Sequence, residues 1–155
     1  MLSSEVKSAL KIICESLPMN EINWAIAGRA SLALQGVNIN ASEVNILAGR
    51  NGAYEIERRL REYAMKHVQF TEDIKSCSHF GMLVINGVPS EIIGEFRLKL
   101  NDGSWDAPLK VLENRYFIEH EGMRIPVTTL DYELKALRAA RDEEAADIVG
   151  ELVGK

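Results

Sequence analysis

Apolar positions along the chain change their spacing in a readable order. Over residues 4–17, Val6, Ala9, Leu10, Ile13, Cys14 and Leu17 recur at helical spacing, with Ser3 or Ser4 placed to cap the helix. Pro18 and Asn20 end it. Residues 23–27 are a short apolar run that reads as a buried strand. Gly28 then turns the chain into a helix over 30–34, which Gly36 closes. A polar loop, 38–42, leads to a second strand over 43–47. Gly49-Arg50-Asn51-Gly52 is a turn into a helix over 53–66, with Ala53, Ile56, Leu60, Tyr63 and Ala64 as its apolar stripe.

Residues 71–79 are polar and read as irregular. The β-rich runs 81–86 and 88–93 flank Asn86-Gly87, the strongest short hairpin signal. After a loop holding Asp102-Gly103-Ser104-Trp105, a second hairpin joins 116–119 to 123–127 through Glu121-Gly122. Helices over 129–140 and 143–153 complete the chain. The order α-β-α-β-α-β-β-β-β-α-α, without repeats or linkers, predicts an α/β (α+β) architecture. It is a small mixed β-sheet with packed helices, in one domain over 1–155.

Composition narrows the function classes. Of 155 residues, 46% are hydrophobic and 26% charged, ordinary values for a globular chain that buries its own core. The net charge of −5 argues against coating nucleic acid through bulk electrostatics, while leaving a local basic groove allowed. Two cysteines, Cys14 and Cys77, are too few for a disulfide framework or zinc site and read as small buried hydrophobes. The first residues lack the zones of a signal peptide, and no apolar run reaches the roughly 18 residues of a membrane span. A cytoplasmic protein without membrane association is expected.

The chemistry concentrates in Trp24-Ala-Ile-Ala-Gly28-Arg29-Ala-Ser31 and Ser42-Glu43-Val44-Asn45-Ile46-Leu47. A strand ending at glycine before a helix presents backbone N–H groups to phosphate oxygens. Residues 43 and 45 share one face of their strand, because side chains alternate with period two. Oxygen ligands there suit Mg²⁺. Glu91, flanked by apolar residues in a later strand, is either the third acid of such a site or an edge residue facing water.

Several further pieces, in this order and spacing, resemble the minimal nucleotidyltransferases of the DNA polymerase β superfamily over nearly the whole chain. They are Leu32-Ala-Leu-Gln-Gly36, Ser78-His-Phe-Gly81, Ile85-Asn-Gly-Val88, Glu91-Ile-Ile-Gly-Glu95, Asp102-Gly-Ser-Trp105 and Glu121-Gly-Met-Arg-Ile-Pro-Val127. The resemblance implies a nucleotidyltransferase fold and transfer of a nucleoside monophosphate from a Mg²⁺-bound triphosphate to a hydroxyl. It also implies catalytic and metal roles for Glu43, Asn45 and Glu91, and triphosphate contacts from Gly28, Arg29 and Ser31.

The departures from that family matter as much. Its second glycine or serine is replaced by Arg29, and its paired aspartates become Glu43 and Asn45. Two anions then face two divalent cations where three are usual, so transfer is expected to be weak or lost, with nucleotide, phosphate or partner binding retained. If activity persists, Mg²⁺ is the cofactor; if the motif is degenerate, none is expected. Two alternatives stay open: an active divergent Mg²⁺-dependent enzyme, and a non-catalytic module binding protein or nucleic acid. Arg29 can pair with Glu43 or Glu91, bind phosphate directly, or face solvent. His79 suits a positioning or packing role; His67 and His120 read as exposed; Trp24 and Trp105 as packing groups. Lys135, Arg138, Arg141, Asp142 and Asp147 read as a solvated face. Acceptor, nucleobase and oligomeric state are open.

Overall fold

The indole N–H of Trp24 donates to the Leu17 carbonyl at 3.1 Å, fixing the first strand against the first helix. That helix, α1 (Ser4–Ser16), is capped by Ser3, whose Oγ accepts the Val6 N–H at 3.2 Å. It buries Val6, Ala9, Leu10 and Ile13, the face the spacing predicts. The strand, β1 (Trp24–Ala27), is buried at all four positions. In the computed structural model, which describes residues 2–139 and 143–153, it lies inside a seven-stranded mixed sheet.

Next come α2 (Gly28–Leu34), β2 (Val44–Ala48) and α3 (Arg50–Arg59), then β3 (Ala64–Glu72), β4 (Ser76–Ile85) and β5 (Val88–Leu98). The chain closes with β6 (Arg115–His120), β7 (Met123–Thr128), α4 (Leu130–Ala139) and α5 (Glu143–Val153). The sheet order is β3-β4-β5-β2-β1-β7-β6. β2 pairs antiparallel with β1 and parallel with β5, while β1 pairs parallel with β7.

Alternation within the strands divides the packing. Val44 and Ile46 of β2, Ile92 of β5 and Val127 of β7 join Leu10, Ile13 and Ile56 in the main core. Leu47 of β2 lies on the opposite face, in a smaller cluster with Ala25, Ala27, Val111, Ile93 and Tyr132. α3 is held close to β5 by a small-residue contact: a Cβ on Gly94 would lie 2.5 Å from the Ala53 Cβ and 3.0 Å from the Gly49 carbonyl.

Both predicted hairpins form, with left-handed residues at Asn86-Gly87 and Glu121-Gly122, as two-residue turns between twisted strands require. Two expectations are corrected. The helix expected over 53–66 starts at Arg50 and ends at Arg59, followed by a single 3-10 turn, Arg61–Tyr63. The chain then returns as β3, where Glu57 accepts the Val68 N–H at 2.5 Å. The segment 71–79, read as irregular, belongs largely to β3 and β4. β3 is an edge strand in which Val68 alone is buried, so it carries no apolar alternation.

Cys14 and Cys77 are free thiols, and burial pushes both up, Cys14 to about 11. Cys77 is buried as expected, while Cys14 is only partly buried at the edge of the main core. The last residue of the helix expected over 129–140 lies outside the described residues, as do Arg141 and Asp142. Among the described residues no helix is long and apolar enough to cross a membrane.

Candidate functional site

Three strands bring Gly28, Asn45 and Glu91 into one row. Ala27, the last residue of β1, stands opposite Asn45 on β2, and Asn45 stands opposite Glu91 on β5. Gly28 follows immediately with φ +70, a left-handed conformation that glycine adopts without strain. It also leaves room for its neighbour: a Cβ at residue 28 would lie 2.7 Å from Asn45 Nδ2. Glu43 lies exposed just before β2, two residues from Asn45, rather than within the strand.

Glu43 and Glu91 also communicate electrostatically. Burial first, and the Glu43 carboxylate second, push the half-buried Glu91 carboxyl above its ordinary range. A like charge nearby disfavours the ionised form of Glu91. Asn45 Oδ1 is buried and has no hydrogen-bond partner among the described residues. Buried polar atoms are nearly always paired, so this oxygen asks for a donor or a cation.

As a donor set for Mg²⁺ the row is partial. Two carboxylates and an amide oxygen are the hard oxygen ligands that Mg²⁺ takes. Among the described residues, however, no three His, Cys, Asp or Glu side chains are grouped to hold a metal. The residues fit one divalent cation in ligand type and fall short of the charge that two would need.

Arg29 is exposed in the first turn of α2. Ser31, two residues further along, is fully buried, and its hydroxyl donates to the Thr128 carbonyl at 3.1 Å. Gln35 Nε2 donates to Ser31 Oγ at 2.9 Å and to the Thr128 carbonyl at 2.8 Å, and the Tyr116 hydroxyl donates to Gln35 Oε1. This network ties α2 to β7 and β6. In this structure the serine holds the helix that follows the glycine turn.

Sequence reasoning missed Glu133. This residue of α4 is 3% exposed, and its Oε2 accepts both the Gly28 N–H at 3.1 Å and the Thr128 hydroxyl at 2.6 Å. Burial raises its carboxyl above the ordinary range, and the bonds from Thr128 and Gly28 partly offset that. Tyr132 beside it is raised by burial as well, with Glu133 adding to the effect. One signal was available: Glu133 falls on the apolar stripe of α4, between Leu130 and Leu137, where a carboxylate is out of place.

A cavity of about 140 Å³ opens here, lined by Gly28, Asn45, Ile93, Phe96, Tyr132 and Glu133. A larger cleft of about 720 Å³ includes Asn23, Gly49, Arg50 and Glu95. It lies at the other end of β1 and β2, where Trp24 stands opposite Ala48, and is remote from the row. The other singled-out residues play structural parts. His79 is buried, with Nδ1 2.9 Å from the Tyr54 hydroxyl and its ring edge-on to Tyr54 and Phe70. Trp24 is a core residue, and Trp105 packs under the Lys99 ammonium. His67 is exposed as expected; His120 is half-buried at the end of β6.

Comparison with known proteins agrees with this architecture. The sequence family described as aminoglycoside-2''-adenylyltransferase matches residues 9–149. No curated protein matches the chain. Among solved structures, a Thermotoga maritima protein proposed to be a nucleotidyltransferase is 38% identical, with a TM-score of 0.88 over 100% of this chain and 97% of that one. A lincosamide antibiotic adenylyltransferase solved with lincomycin is 8% identical, with a TM-score of 0.60 over 96% of this chain and 97% of that one. An enzyme solved with adenylyl-2''-tobramycin is 8% identical, with a TM-score of 0.56 over 94% of this chain and 87% of that one. The last two share the fold.

Proposed function

The chain belongs to the aminoglycoside-2''-adenylyltransferase family, with a nucleotidyltransferase fold, and on that premise we propose that it binds a nucleoside triphosphate and transfers its nucleotidyl group slowly or not at all. The observation that carries this is the charge of the row: Asn45 stands opposite Glu91, with Glu43 near enough to act on Glu91, so two carboxylates serve where in-line transfer with two cations draws on three. Arg29 adds a fixed positive charge in the neighbouring turn. Only if transfer is retained would Glu43, Asn45 and Glu91 hold Mg²⁺, which when bound would neutralise and orient phosphate oxygens. Gly28 and Arg29 would face the phosphates, with Ser31 fixing the helix behind them. A cytoplasmic location goes with this reading, since the triphosphate is a cytoplasmic solute.

A second reading is Mg²⁺-dependent nucleotidyl transfer to a hydroxyl acceptor. The unpartnered Asn45 Oδ1 favours it, because a hard cation would satisfy that oxygen. Calorimetry with ATP, GTP, CTP and UTP, with and without Mg²⁺, separates the two. We expect binding that Mg²⁺ strengthens little, and no labelled nucleoside monophosphate on any acceptor. Strong Mg²⁺ dependence with a labelled product would establish the second reading in place of the first. If no triphosphate binds, both fail and an interaction module remains.

A further inference from the structure

Glu95 breaks the alternation of β5. Ile92 faces the main core and Gly94 faces α3, while Ile93 lies on the opposite side. Continued regularly, that pattern would send Phe96 to the α3 side. Instead Glu95 is left-handed, at φ +50, a strained conformation for a side chain other than glycine. The register slips with it: Glu95 and Phe96 together stand opposite Ser78, between the pairs His79–Gly94 and Cys77–Arg97. This bulge turns Phe96 onto the side of Ile93. The Leu109 N–H, donating to the Phe96 carbonyl at 2.9 Å, pins it there. Phe96 is only half-buried, and among the described residues no ring or cation stacks on it. On neighbouring Phe80, by contrast, the Lys66 ammonium lies 5.6 Å from the ring centroid.

Phe96 and Ile93 line the cavity of about 140 Å³ beside Gly28, and they also line a second hollow of about 310 Å³ over Phe80 and Ser78. The two hollows meet at these side chains. The second alone reaches the roughly 300–1,000 Å³ of small-molecule sites. Its walls carry two carboxylates, Glu72 and Asp73, against one ammonium, Lys66, so a polyphosphate is left to the Gly28 end. We propose that this second hollow is the nucleobase subsite, with the Phe96 ring as stacking platform and the Ser78 hydroxyl facing the polar edge of the base. This rests on the nucleotide-binding reading above, and places the part of the ligand that the glycine turn does not hold. A stacking platform takes any of the four bases, because each has a π-face.

The test compares binding of ATP and of inorganic triphosphate, which lacks a base, by calorimetry on the wild type, Phe96→Ala, Phe96→Leu and Ser78→Trp. Losing the ring, or filling the hollow with tryptophan, should weaken ATP about tenfold and leave triphosphate within about twofold. Thermal melts identify which variants fold. Phe96→Leu keeps an apolar side chain if alanine is not tolerated, and Ser78→Trp leaves Phe96 itself in place. ATP affinity unchanged in the folded variants, or lowered equally with that of triphosphate, overturns the subsite while nucleotide binding stands. Failure of the wild type to bind either ATP or triphosphate overturns both.

Discussion

The carboxamide of Asn45 occupies the space that a side chain at residue 28 would need, with Nδ2 2.7 Å from the position of a Cβ on Gly28. The glycine is also left-handed, at φ +70. Gly28→Ala therefore meets two obstacles, and should lose about 1–3 kcal/mol of stability in urea denaturation. A melt identical to wild type would show that the turn relaxes freely. Adding Asn45→Ala should recover only the steric part, since the dihedral strain belongs to the backbone.

The seat of α3 on β5 gives a cleaner packing test. A Cβ on Gly94 would lie 2.5 Å from the Ala53 Cβ and 3.0 Å from a backbone oxygen, neither of which can swing aside. We expect Gly94→Ala to destabilise by about 1–3 kcal/mol, measured by thermal and chemical unfolding. A loss below about 0.5 kcal/mol would mean that α3 slides along the sheet at little cost.

Much of this was legible because its signals are local. The period of α1, the apolar run before Gly28 and the Asn86-Gly87 turn each act within a few residues. β3 was hidden because an edge strand exposed at nearly every position has no face to alternate. Glu133 was hidden for another reason: its partners, Gly28 and Thr128, are brought to it by the β1–β7 pairing, which no local pattern announces. The row of Gly28, Asn45 and Glu91 was half legible. Spacing put residues 43 and 45 on one face, but only the parallel pairing of β2 with β5 brings residue 91 to them.

Acid and base should act on this protein in opposite senses. Glu91 and Glu133 both have carboxyls raised above the ordinary value of 4.5. The folded state then favours their protonated forms, so their contribution to stability is full below 4.5 and is lost as pH rises through the raised values. Glu55, held down to about 2 first by its hydrogen bonds with Arg58 and Arg59, works the other way and loses its contribution as pH falls below 4.5. Urea melts of Glu91→Gln and Glu133→Gln across the range above 4.5 should fall less steeply with pH than wild type. Parallel curves would show that neither group titrates with folding.

Restoring charge at the row tests the account of its chemistry. Asn45→Asp with Arg29→Ser adds one anion and removes one cation. Mg²⁺-dependent ATP binding should strengthen about tenfold or more, read by calorimetry. If the pair leaves Mg²⁺ dependence unaltered, these two positions do not govern metal binding at the row.

Asn45 and Glu91 alternate along their strands with Val44, Ile46, Ser90 and Ile92, which are fully buried. The candidate donors thus share their side of the two strands with the smaller cluster of Leu47 and Ile93, while the main core lies on the other side. A carboxylate at position 45 would differ from the present side chain only in an oxygen for the amide nitrogen, on the side of β2 away from the main core. The main core is therefore indifferent to whether an amide or a carboxylate stands at position 45.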